Sequence, residues 1–165
     1  MEILISGRRK VSDSLNKSLT NVFKETIKRL NQPSRLLVYL SFVSESQIKK
    51  LNSHNRNIDK VTDVLSFPSL GIGAGEIIDY NYYKQIGEID FETGLVILGD
   101  VILCTKRVKE QAKEYGHTEE DEIVRLFVHS LLHLFGYDHI KDEDYNVMHP
   151  LELEILNNCG YNFSE

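Results

Sequence analysis

Hydrophobic and polar positions alternate weakly from Met1 to Ser6, which predicts a first strand. Val11, Leu15, Leu19, Val22, Phe23, Ile27 and Leu30 then recur at helical spacing and predict a long amphipathic helix. After Pro33 the run Leu36 to Leu40, with Phe42 and Val43 just beyond Ser41, is short and partly β-branched or aromatic, the pattern of a strand. Ser44 and Gln47 form a capping-box pair that opens a short helix through Leu51. Val61 to Phe67, stopped by Pro68, and Leu95 to Leu98 predict two further strands. Ile102 to Tyr115 has the pattern of a polar-faced helix closed by Gly116. Thr118 and Asp121 then cap another helix, whose first turn carries acidic residues suited to the helix dipole. A last helix is expected over about 143–158, with a kink or restart at Pro150. The order predicts an α+β single domain over 1–165, with a small mixed β-sheet packed against about five helices.

The helix after Thr118 breaks the usual pattern. Between Leu126 and Phe135 every residue is apolar except His129, Ser130 and His133. A helix apolar nearly all round is buried, so two imidazoles within it need a reason. Four residues apart, they stack on one face at the spacing of a helical zinc pair. Gly136 can end the helix and turn the chain, bringing His139 beside the first two. Core histidines held by packing are the plain alternative, but a pair, a turn glycine and a third histidine together favour three neutral imidazoles on one metal. Three ligands leave a coordination position open, as in catalytic zinc sites, whereas structural sites hold four ligands and are rich in Cys. Cys104 and Cys159 lie away from this stretch and are expected to be free thiols.

Composition narrows the partners. Hydrophobic content of 41% and charged content of 27% are those of a soluble globular protein. No apolar run is long enough for a membrane helix, and the segment from Met1 to Lys10 lacks the apolar core of a signal peptide. A cytoplasmic protein without membrane contact is expected. The net charge of −6 argues against broad, non-specific grip on nucleic acid, so any such binding must come from a local site.

Three imidazoles on zinc suit hydrolysis of a peptide, an amide or a phosphodiester. The spacing His-x-x-x-His-x-x-Gly-x-x-His is also that of metzincin peptidases, which place Glu after the first His as general base. Here Ser130 stands there, and a hydroxyl does not take a proton from water at neutral pH. Arg56, in a polar segment with Asn52, His54, Asn55, Asp59 and Lys60, has the planar fork that holds phosphate, or is simply a surface arginine. Asp138 either orients a ligand imidazole or serves the turn. His54, His117 and His149 lack ligand spacing and are expected to serve surface or packing roles. Gly71, Gly73 and Gly75 do not complete a phosphate-binding fingerprint, so 69–93 is expected to be a flexible loop, with Tyr80, Tyr82 and Tyr83 either packed or stacking on bases.

His129 to His139 resembles the zinc motif of the YbeY family of bacterial rRNA maturation endoribonucleases, departing only at Ser130, where the family has Gly. A second block, Asn52, Asn55-Arg56 and Thr62 to Pro68, is similar to that family's, with Asn55 in place of Tyr and Val61 in place of Pro. Leu98 to Ile102 and the tail residues Met148, Leu151, Glu152, Glu154, Ile155 and Leu156 are similar too. The resemblance implies a zincin-like fold, one Zn2+ on His129, His133 and His139, and Arg56 near the reacting phosphate. It implies a metal-dependent, single-strand-specific endoribonuclease in 16S rRNA 3′-end processing and ribosome quality control. The partners it implies are rRNA, the small ribosomal subunit, and ribosomal or GTPase proteins. A non-catalytic assembly factor with a structural metal and a metzincin-like peptidase are the alternatives.

Overall fold

The computed structural model describes residues 1–7 and 9–163. Its sheet runs β1 (Glu2–Gly7), β2 (Leu36–Val43), β4 (Val96–Cys104), β3 (Val64–Pro68) in space. β1 and β4 flank β2 in parallel, and β3 pairs antiparallel with β4, so the sheet is mixed as expected. The helices are α1 (Asp13–Arg29), α2 (Glu45–Arg56), α3 (Tyr80–Gln85), α4 (Thr105–Tyr115), α5 (Glu119–Leu134) and α6 (Asp142–Asn158).

Strand alternation divides the core. Val101 and Leu103 of β4 join the main cluster with α1, α5 and α6, while Ile102 and Cys104 point to a smaller cluster with Leu65 and with Ile48 of α2. α5 is the central helix, touching α1, α4, α6, β3 and β4. It starts on a capping box in which Thr118 and Asp121 each bond the other's main chain. It reaches the sheet closely at Gly99, where a Cβ would lie 2.8 Å from Leu134 and 2.4 Å from the Phe67 carbonyl oxygen.

Several boundaries differ from expectation. α2 continues past Leu51 to Arg56, because Asn57 in the left-handed region accommodates the helix end. Ile102 to Cys104 belong to β4 rather than to the following helix, since a central strand buried on both faces has a continuous apolar run. α6 runs through Pro150 without a restart. The 69–93 segment carries α3, a sixth helix, and is anchored rather than loose. The Gln32 side chain donates to the Glu76 carbonyl at 2.7 Å and accepts from the Ile78 N–H at 3.0 Å, while Leu70 and Ile78 enter the core. Tyr80 lies under the Arg35 guanidinium and donates to the Gly94 carbonyl, a packing role.

Candidate metal centre

Helix periodicity puts Arg125, His129 and His133 on one side of α5, each one turn from the next. Beyond Phe135 the chain reverses at Gly136, whose φ is +88°. A Cβ there would stand 2.4 Å from the Ile72 carbonyl oxygen and within 3 Å of Gly73 and Ala74, so only glycine lets the 72–74 backbone close over the turn. The reversal returns His139, and one nitrogen from each of the three imidazoles lies within 4.8 Å of the others. His129 and His133 are half-buried and His139 is exposed, so the cluster opens to solvent on one side.

The hydrogen bonds around the rings fix their chemistry. His133 Nδ1 stands 2.9 Å from the Tyr137 carbonyl, which can only accept, so that nitrogen carries the proton. His129 Nδ1 donates likewise to Glu152 Oε2 at 3.0 Å. In the neutral rings both Nε2 atoms are then bare lone pairs, and they face each other at 3.1 Å. Two acceptors so close repel unless a cation lies between them. Nitrogens sharing one tetrahedral zinc at about 2.0–2.1 Å lie about 3.3 Å apart, so the His129–His133 pair fits such an ion, with His139 close enough to join it. Burial, aided by neighbouring His129, pulls His133 down to about 4, which keeps its imidazole neutral and able to ligate at pH 7.

Glu152 is 7% exposed and reaches His129 from α6. Asp138 does not hold an imidazole. Its Oδ1 accepts from the His139 main-chain N–H at 2.7 Å and shapes the turn. Ser130 points into the core with its hydroxyl unbonded, away from any base position.

Two cavities flank the histidines. One of about 670 Å³ is lined by Arg56 and the three imidazoles, together with Asp63 and Ser66. Arg56 reaches this cleft from the last turn of α2, and the buried Asn52 side chain ties α2 to the next loop by donating to the Lys60 carbonyl. The other cavity, about 860 Å³, opens between α5, α6 and the C-terminal segment. Tyr80, Tyr82 and Tyr83 line neither. Arg125 lines both. Its Nε and Nη2 donate to both oxygens of Glu122, which is fully buried and also meets His117 Nε2. Sequence reasoning missed Arg125, although it stands one helical turn before His129 within the apolar part of the helix. Glu152 stands in the family-like tail, but its contact with His129 from a separate helix gave no spacing signal.

Residues 4–160 match the family described as endoribonuclease YbeY. Among curated relatives named endoribonuclease YbeY, that of Clostridium acetobutylicum is 40% identical over 92% of this chain and 92% of its own. That of Lachnospira eligens is 35% identical over 97% of each. The solution structure of TM1509 from Thermotoga maritima aligns with a TM-score of 0.53 at 26% identity, covering 95% of this chain and 91% of that one.

Proposed function

The chain belongs to the endoribonuclease YbeY family, and from that premise we propose a zinc-dependent endoribonuclease that cuts single-stranded RNA in rRNA maturation at the small ribosomal subunit. The observation that carries the metal reading is the facing pair of Nε2 lone pairs, set by Tyr137 and Glu152. His129, His133 and His139 are the proposed ligands. A bound zinc ion supplies Lewis acidity toward a phosphoryl oxygen and lowers the pKa of bound water. Arg56, across the same cavity, donates to the non-bridging oxygens as charge builds on phosphorus. His133, neutral through burial, ligates without first losing a proton. The 3′-end of 16S rRNA is the proposed substrate, with ribosomal or GTPase proteins delivering it, since a net charge of −6 gives the chain little long-range pull on RNA. A cytoplasmic location accords with the absence, among the described residues, of a helix long and apolar enough to cross a membrane.

Peptidase chemistry of the metzincin kind has no support at Ser130, whose hydroxyl is in the core. The deciding experiment pairs metal content with cleavage of a labelled single-stranded RNA. Near one zinc per chain is expected, with cleavage lost on chelation and in His133→Ala. Arg56→Ala is expected to keep the metal and lose about 10²–10³ in kcat, the usual cost of one charge-stabilising donor. Bound metal without RNA cleavage by the intact protein would favour the assembly-factor reading.

A further inference from the structure

The cavity on the far side of the histidines from Arg56 has features of its own. Arg125 stands at its junction with the metal centre, about 6 Å along α5 from His129, close to one nucleotide step. Glu122 occupies Nε and Nη2, so the guanidinium is held from behind, and among the described residues Nη1 takes no hydrogen bond. A fully buried carboxylate contributes little net stability even when paired, and a hydrophobic replacement is often as good. Its effect here is to fix the Arg125 guanidinium where the two cavities meet. Further out, one face of α6 carries Glu152, His149 and Tyr145 at helical spacing. Glu152 is committed to His129. Tyr145 and His149 stack on each other, ring centres 5.0 Å apart and planes 12° from parallel, and Tyr145 is 47% exposed. A cation at the metal end and a flat aromatic platform beyond it match the phosphate and the base of one nucleotide.

We infer that this cavity is a nucleotide subsite for the residue adjoining the scissile phosphate, with Arg125 holding that residue's phosphate and the Tyr145–His149 pair stacking on its base. The inference rests on the endoribonuclease reading and adds where the strand runs: through the Arg56 cavity, past the histidines and into the α5–α6 cavity. Stacking makes the subsite tolerant of base identity but demanding of an unpaired base, because a paired one cannot offer its face.

The test uses the full-length, zinc-loaded protein with short single-stranded RNAs. Binding is read by fluorescence anisotropy on a strand that is 2′-O-methylated throughout, and cleavage on the unmodified strand. Tyr145→Ala, at an exposed position, is expected to weaken binding and raise KM about tenfold at unchanged zinc content, the usual cost of one lost stack. Arg125→Gln is expected to act in the same direction. An abasic nucleotide on one side of the cut, and on that side alone, is expected to reproduce the Tyr145→Ala loss in the wild type and to add nothing further in Tyr145→Ala. Wild-type cleavage with Tyr145→Ala and the abasic strands all within twofold of the reference would overturn the subsite and leave the nuclease reading standing. A zinc-loaded wild type that neither binds nor cuts RNA would overturn both.

Discussion

Glu152 illustrates how one buried side chain can decide what a histidine does. Its carboxylate accepts a hydrogen bond from His129 Nδ1 and turns Nε2 toward His133. Glu152→Gln weakens that acceptor, and metal affinity is expected to fall tenfold to a hundredfold, the range for partners that orient metal-bound imidazoles. Competition against a chelating dye would measure it, and unchanged affinity would mean the orientation is held by something else. Ser130 is the opposite case. Its hydroxyl is buried and unbonded, on the residue directly after His129 but facing the core. Ser130→Ala removes an uncompensated polar group and improves helix propensity, so a gain of about 1 kcal/mol in unfolding free energy is expected from denaturant titration, with zinc content unchanged.

At the scale of elements, the turn after α5 depends on contact with a segment more than sixty positions earlier in the chain. Gly136→Ala adds a methyl that must meet the Ile72 carbonyl and forces alanine to positive φ. A loss of at least about 1–2 kcal/mol is expected from the dihedral alone, with zinc affinity falling as His139 shifts. The His129, His133, Gly136, His139 spacing was legible because all four positions are local to one helix and its turn. The Thr118 and Ser44 capping boxes were legible for the same reason, and both form. The ends of α2 and β4 were not. Asn57 adopts a conformation that glycine usually supplies, and Ile102 to Cys104 gain their strand state from β2 and β3 on either side. Glu152 was visible in the family-like tail, but its role was not, because that depends on the packing of α6 against α5 and no local period records it.

For the molecule as a whole, charge and site pull in different directions. With a net charge of −6, RNA affinity is expected to rest on a few cleft cations, Arg56 and Arg125 foremost. Two phosphate contacts on a single strand give a slope of about −1.4 for log affinity against log salt. Measured between low and moderate salt, a slope several times steeper would point to a basic surface elsewhere, and Arg125→Gln should flatten the expected slope by about 0.7.

The three imidazoles that face one another all lie within residues 129–139, whereas the guanidinium of Arg56 and the carboxylate of Glu152 come from distant parts of the chain. An unfolded chain can therefore close most of the ligand set with a short loop, at small entropic cost. A zinc ion on these imidazoles would then bind the denatured ensemble as well as the native state, and linkage adds to stability only the difference between the two affinities. Added zinc is therefore expected to raise the melting temperature less than it would at a site of equal affinity gathered from remote segments.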